Sequence, residues 1–205
     1  CIYYDKCGGC QLQHMTYEAQ LAMKKEQVVN LFYRKGSFKD TPINDVIGME
    51  SPWRYRNKSQ IPVGKNNSND IIMGFYRQRS HDIIDMESCL IQNEEHQKVM
   101  KYVKQWFKEL NISIYDGQSK KGLMRHLVVR TGYHTNEMMV IFVTNGKSFK
   151  LADRLVENLK TTFSKITSIK QNINNSHSNV IMGKESITLY GKEKIEDHLS
   201  EVTYN

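Results

Sequence analysis

The four cysteines of the chain limit what its N-terminal part can form. Cys1, Cys7 and Cys10 lie within the first ten residues, and Cys89 is the only other cysteine in the sequence. A closed site made of thiolates takes one cysteine at each of its four positions, as in structural zinc sites and iron–sulfur centres. The spacing therefore predicts that the N-terminal loop and the segment around Cys89 meet at one site.

Several kinds of cysteine chemistry compete for this pattern. A structural disulfide is disfavoured because disulfides are rare in the cytosol and the spacing gives no obvious pairing. A redox pair at Cys7 and Cys10 has the thioredoxin spacing, but no convincing buried strand precedes it. Structural zinc usually takes its ligands in two close pairs, whereas here three come from one loop. The three-plus-one pattern favours an iron–sulfur cluster, and Gly8-Gly9 would let the backbone wrap closely around it.

Composition and charge narrow the class of protein. The chain has 205 residues, of which 39% are hydrophobic and 25% charged, as expected for one globular domain. No apolar run is long enough to cross a bilayer and no signal peptide is present, so we expect a cytoplasmic protein with no membrane partner. The formal charge of +7 favours an anionic partner. The missing initiator Met suggests a piece of a larger protein, which we expect to be monomeric.

Hydrophobic periodicity predicts an α+β fold, with a mixed, largely antiparallel sheet, about three packed helices and an N-terminal cysteine loop. A helix over 16–35 is capped by Thr16, and its apolar stripe is expected in the core. A second helix opens at Asn93 and a third at Ser148. Strands are predicted over 53–63, 71–77, 81–85, 123–131, 138–144, 166–173 and 187–190.

Sequence motifs carry a resemblance to a known family. The motifs are Cys1-x5-Cys7-Gly8-Gly9-Cys10-x2-Gln13-His14, Trp53-x-Tyr55-Arg56-Asn57-Lys58, Met73-Gly74-Phe75-Tyr76-Arg77, the isolated Cys89, and Met124-Arg125-His126-Leu127-Val128-Val129-Arg130. With them, the chain resembles the cluster-containing uracil-C5 RNA methyltransferases, the 23S ribosomal RNA 5-methyluridine family. The resemblance implies a [4Fe-4S] cluster on Cys1, Cys7, Cys10 and Cys89. It also implies that residues 1–205 are a central domain, without the OB-fold domain that precedes it and the Rossmann-like domain that follows.

The same resemblance assigns catalysis to the absent C-terminal domain, which binds S-adenosylmethionine and carries the cysteine nucleophile. No cysteine remains for that role here once four are assigned as ligands, and no glycine-rich loop follows a predicted strand. The ending at 201–205 looks like the lead-in to that domain. We therefore expect the chain to be catalytically inert by itself, with 23S rRNA as the expected partner and transfer RNA as an open alternative.

RNA recognition is then the expected role of this chain. RNA loops are bound through phosphates and through bases stacked on aromatic or guanidinium planes. Strand alternation predicts that Arg54, Arg56 and Lys58 share one face, with a solvated sheet face as the alternative. Eight side chains are expected to contact RNA: Arg54, Arg56, Lys58, Arg77, Arg79, Arg125, His126 and Arg130.

Overall fold

The secondary structure comes from a computed structural model that describes residues 1–36, 38 and 40–205. The helices are α1 (Tyr17–Leu31), which continues into a π-helical turn (Phe32–Gly36), α2 (Glu94–Glu109) and α3 (Ala152–Thr162). The strands are β1 (Lys58–Lys65), β2 (Ile71–Tyr76), β3 (Ile83–Asp85), β4 (Met124–Thr131), β5 (Met138–Thr144), β6 (Ile166–Ile173), β7 (Glu185–Gly191), β8 (Asp197–Leu199) and β9 (Val202–Tyr204).

Seven of these strands form one sheet in the order β3-β2-β1-β4-β5-β6-β7. Neighbouring strands are antiparallel except β5 and β6, which run parallel and are joined through α3. A parallel pair needs a crossover, and a helix normally supplies it. The expected α+β fold with a largely antiparallel sheet is confirmed. None of the described helices is long and apolar enough to span a membrane.

The main core lies between one face of this sheet and helices α2 and α3. Each helix buries an apolar stripe on the strands, with Val99, Val103 and Phe107 from α2 and Leu155 and Leu159 from α3 fully covered. Such stripes stabilise helix packing because burying each large aliphatic or aromatic side chain contributes roughly 1.5–3 kcal/mol.

The opposite face of the sheet has a thinner cover. A smaller apolar cluster around Val128, Ile141 and Val143 is packed by Ile181, Met182 and Ile195 from loops. No helix covers this face among the described residues, and toward β1 and β2 it opens into a groove. This open part of the sheet carries much of the candidate site.

The expected position of helix α1 in the core is wrong. Thr16 caps it as predicted, since its hydroxyl accepts from the backbone N–H of Ala19 at 3.3 Å, but α1 buries no residue. Helices α2 and α3 supply the helical side of the main core, and the apolar residues of α1 stay partly exposed. Helix α1 is held instead to the following loop, where the N–H of Met49 donates to the Tyr17 hydroxyl at 2.8 Å.

The strand predicted from residue 53 begins only at Lys58. Arg54 has a φ of 58°, in the left-handed region, which interrupts extended backbone. The expected common face for Arg54, Arg56 and Lys58 is therefore wrong. The terminal hairpin of β8 and β9 has no counterpart in the predicted strands.

Candidate functional site

The four cysteines line a single cavity, together with Tyr4, Gly9, Gln13, Arg56, Phe75, Met86 and Ile91. All four have free thiols, and Cys7 is buried while Cys1 is exposed. The N-terminal loop reaches this place by pairing with the end of β2. The N–H of Gly8 donates to the carbonyl of Tyr76 at 3.0 Å. A Cβ on Gly8 would lie 3.3 Å from that oxygen, so glycine suits this close approach.

The turn that carries Cys89 is fixed from two sides. Arg54 Nη1 donates to the carbonyl of Cys89 at 2.5 Å and to that of Gln92 at 3.3 Å. Gln97 Nε2, from the first part of α2, donates to the same Cys89 carbonyl at 2.6 Å. Asn93 caps α2 directly after the turn, as its sequence predicted. The start of α2 and Arg54 thus fix the position of the Cys89 turn.

The thiols influence one another electrostatically. Burial raises the pKa of Cys10, and the nearby thiols of Cys89 and Cys7 raise it further. The amide of Gln13, which donates to Cys10 Sγ at 3.1 Å, and the charge of Arg56 oppose this rise in pKa. Several thiolates in so small a space repel one another, so the deprotonated set needs a cationic partner.

The thiols do not converge on a site for one metal ion. Within the described ranges, no three or more Cys, His, Asp or Glu side chains converge closely enough to hold one metal ion. Tetrahedral zinc with Zn–S bonds of about 2.3 Å would require sulfurs about 3.8 Å apart. An iron–sulfur cluster instead binds its thiolates to separate irons. The cavity measures about 20 Å³, so a cluster requires the cysteine loop to stand further from Cys89 than it does here.

Arg54 and Arg56, two of the expected RNA contacts, belong to the cysteine site. Arg54 is committed to the carbonyls of the Cys89 turn, and it also pairs with Glu94 at 3.4 Å. Arg56 Nη2 donates to the carbonyl of Gly9 at 3.3 Å. Arg54 therefore holds the Cys89 turn, whereas Arg56 binds the N-terminal loop and places positive charge near Cys10.

Arg125 and His126, two further candidates for RNA contact, form contacts within the protein. Arg125 is buried, and its Nη1 donates to the carbonyls of Asn174 at 2.6 Å and Ser176 at 2.7 Å. His126 is partly buried, with Nε2 at 3.4 Å from the hydroxyl of Tyr76. Burial, with the Arg125 charge, lowers the pKa of His126 to about 4, so its ring is neutral at physiological pH. The expectation that Arg125 contacts RNA does not agree with this burial.

The remaining four candidates, Lys58, Arg77, Arg79 and Arg130, are exposed. Two adjacent grooves are lined by three of them, Lys58, Arg77 and Arg79. The sheet-face groove, of about 610 Å³, is lined by Tyr55, Arg56, Asn57, Lys58, Gln60, Pro62, Phe75, Tyr76 and Ile181. The cysteine-loop groove, of about 710 Å³, is lined by Tyr4, Gly8, Gly9, Cys10, Gln11, Phe75, Tyr76, Arg77, Gln78 and Arg79. Phe75 and Tyr76 form a wall common to both.

Aromatic side chains of this region were missed as site residues. Trp53 and Tyr55 are about half exposed, and both line a further groove of about 580 Å³ between the cysteine loop and α1. In the sequence these two residues alternate with Arg54 and Arg56. This pattern could have indicated them as site residues, because aromatic and guanidinium groups together are typical of nucleic-acid surfaces.

Comparison with known proteins finds RNA methyltransferases. No protein-family model matches the chain. It is 74% identical over 205 residues to a Staphylococcus epidermidis protein named as an uncharacterized RNA methyltransferase, and 69% identical over 204 residues to one from Staphylococcus aureus. Each match covers the whole chain but 45% of the relative, so the chain spans about half the length of the curated relatives it matches.

A solved structure gives a similar result. The chain matches Pyrococcus abyssi tRNA (uracil-54, C5)-methyltransferase in complex with S-adenosyl-L-homocysteine, with a TM-score of 0.74 and 26% identity. The match covers 97% of this chain and 44% of that one. Sequence and fold are thus both similar to part of longer RNA methyltransferases.

Proposed function

We propose that this chain is the iron–sulfur and RNA-recognition part of an S-adenosylmethionine-dependent RNA (uracil-C5) methyltransferase, and that it is inactive by itself. The observation that carries the proposal is the meeting of Cys1, Cys7, Cys10 and Cys89 at one cavity. The chain that brings them together is similar over its full length to proteins named RNA methyltransferases. The structural neighbour is a tRNA uracil-C5 methyltransferase solved with S-adenosyl-L-homocysteine, which supports uracil C5 as the position modified and S-adenosylmethionine as the methyl donor.

The four cysteine thiolates would bind a [4Fe-4S] cluster, and the side chains around them would support it. When bound, the cluster would supply iron–thiolate bonds that tie the N-terminal loop to the Cys89 turn. Arg54 fixes the Cys89 turn, and Arg56 places positive charge near Cys10. The amide of Gln13 and the N–H of Gly9 point at sulfurs, and such donors stabilise thiolates. Methyl transfer to uracil needs no electron, so we assign the cluster a structural role.

The RNA substrate is proposed as 23S rRNA, with transfer RNA as the second candidate because the structural neighbour is named for it. The test uses the longer protein with S-adenosylmethionine and unmodified transcripts of each RNA. Formation of 5-methyluridine, mapped by mass spectrometry, identifies the substrate. Absence of 5-methyluridine in both RNAs, with a folded and cluster-loaded protein, would contradict the proposed activity.

The cluster is tested separately on this chain. Anaerobic purification is expected to give a brown protein that absorbs near roughly 400 nm, with about four irons and four sulfides per chain. Cys89→Ser should lower iron content and stability together, whereas Ser88→Ala in the same turn should leave both unchanged. A colourless protein with one zinc after reconstitution would instead support a four-cysteine zinc module. A metal-free protein in which Cys7 and Cys10 cycle between dithiol and disulfide would support a redox protein.

A further inference from the structure

Two positive charges stand directly opposite each other on the open face of the sheet. Lys58 of β1 and Arg130 of β4 are Cα partners in an antiparallel pair. Their neighbours Ser59 and Thr131 both hydrogen-bond to His96 of α2, so Lys58 and Arg130 lie on the face away from the helices. Neither takes part in the ion pairs found among the described residues. Like charges directly opposite destabilise a sheet, and a bound anion would relieve that repulsion.

A second pair of cations lies across the common wall of the grooves. Arg77 and Arg79 line the cysteine-loop groove and are exposed. The tight turn that presents them is closed by the N–H of Arg77, which donates to the carbonyl of Asp82 at 2.8 Å. Arg79 has a φ of 55°, so the turn has a specific shape. These arginines also take no part in the ion pairs of the described residues.

The wall between the two cation pairs is aromatic and held in place. The ring of Tyr76 meets that of His81 edge-on, with centroids 5.5 Å apart, and its hydroxyl lies 3.4 Å from His126 Nε2. Phe75 lies beside it and also lines both grooves. A fixed aromatic surface with cationic sites on either side suits a nucleic-acid strand, in which bases alternate with phosphates along the chain.

We propose that the sheet-face groove and the cysteine-loop groove form one track for a single RNA strand. Lys58 and Arg130 each bind a phosphate at one end of the track, Arg77 and Arg79 each bind a phosphate at the other end, and a base stacks at Tyr76 between them. The track rests on the proposed function, and it names where this chain holds its RNA. Single-stranded RNA is favoured over duplex because stacking on a side chain requires an unpaired base, whereas duplexes are recognised by shape across the minor groove.

The test measures binding of this chain to a labelled single-stranded RNA of about 12 nucleotides, within the range of known single-strand sites. Fluorescence anisotropy at several salt concentrations gives the affinity and its salt dependence. Lys58→Ala/Arg130→Ala and Arg77→Ala/Arg79→Ala should each weaken binding about tenfold or more. Each should also lower the slope of log K against log salt by about 1.4, because each lost phosphate contact on a single strand removes about 0.7.

A matched control removes the same charge elsewhere. Lys101 and Lys108 are exposed on α2, on the other side of the sheet. Lys101→Ala/Lys108→Ala should keep the salt slope of the unmodified chain. Tyr76→Leu should abolish quenching of a 2-aminopurine base in the RNA, while Tyr76→Phe should retain it. Circular dichroism and thermal unfolding confirm that each variant is folded before its binding is interpreted.

Several outcomes would overturn the track. One is an unchanged salt slope in both groove double variants, and another is tighter binding to duplex than to single-stranded RNA. Equal affinity for an acidic peptide of similar length would assign the surface to a protein partner.

Methylation by the longer protein distinguishes failure of the track from failure of the proposed function. If that protein does not methylate RNA while the groove variants lose single-strand binding, the proposed function fails and the track stands. If methylation occurs and its KM is unaffected by these variants, the track fails.

Discussion

His96 is a titratable side chain fixed inside the core. Its Nδ1 lies 2.7 Å from the hydroxyl of Ser59 on β1, and its Nε2 lies 2.7 Å from that of Thr131 on β4. The side chain is fully buried. Burial lowers its pKa to about 4, against a weaker opposite effect of Glu95. The neutral ring therefore connects α2 to the two central strands.

This histidine should make the stability of the chain depend on pH. Its folded pKa lies below the unfolded value of about 6.5, so the unfolded chain binds more protons as pH falls. The stabilising effect is complete above pH 6.5 and is lost between about 6.5 and 4. Urea unfolding of the reduced chain should show about 2 kcal/mol less stability from this group at pH 5 than at pH 7.

The control compares a buried with an exposed histidine. His96→Gln should remove this part of the pH dependence, whereas His134→Gln, at an exposed turn, should retain it. The neutral His126 contributes in the same direction, so some slope remains in the His96 variant. An identical pH slope in His96→Gln and the unmodified chain would disprove the assignment.

At the scale of residues, the sequence could predict that the cysteines share a site, but it could not predict which side chains surround them. Four thiols in a three-plus-one spacing have few chemical uses, and in the structure all four line one cavity. The roles of Arg54 and Arg56 could not be predicted, because they depend on where the strand begins. The left-handed backbone at Arg54 precedes a strand that begins only at Lys58, and Arg54 binds the Cys89 turn while Arg56 binds the cysteine loop.

Among the elements, α1 shows the limit of periodicity. Its pattern correctly predicted a helix and a cap, since both are local properties. Whether an apolar stripe is buried depends on what covers it, and periodicity carries no information about that. In this chain, Val28, Leu31, Phe32 and Tyr33 remain substantially exposed.

The exposed stripe leads to a direct stability prediction. Leu31→Ala should change the free energy of unfolding by less than about 0.5 kcal/mol, because surface substitutions remove few contacts. Leu155→Ala in α3 should cost about 2–5 kcal/mol, because Leu155 is fully buried and the substitution leaves a cavity. Urea unfolding of the two variants provides the comparison. Similar losses in both would mean that α1 is packed in the core after all.

For the whole molecule, antiparallel neighbours could be predicted but the parallel pair could not. The hairpin of β1 and β2 surrounds a polar turn, and the sequence indicates it locally. The parallel pairing of β5 with β6 depends on α3 crossing between them. Every residue of β5 is buried, which is typical of strands covered on both faces, and its nearly continuous apolar run in the sequence could have indicated a central position.

The same division between local and distant contacts predicts what loss of the proposed cluster would do. The cysteine loop has few other attachments to the sheet, chiefly the hydrogen bonds of Gly8 and Gln78 with their partners. Strands β4–β6 are instead held by a large apolar core of their own. Removing iron from the reconstituted chain with a chelator should therefore increase amide hydrogen exchange in residues 1–15 and 86–92 and leave β4–β6 protected.

Mass spectrometry of the exchanged peptides measures this difference, and Cys89→Ser without chelator should reproduce it. If β4–β6 lost protection together with the loop, the cluster would be stabilising the whole fold. If neither region changed, the cysteines would not be linking the loop to the Cys89 turn. The expected result, with only the loop and the Cys89 turn affected, would restrict the effect of the proposed cluster to these two segments. There it would shape the cysteine-loop groove while the sheet keeps its fold without it, because the core between sheet and helices contains none of the four thiols.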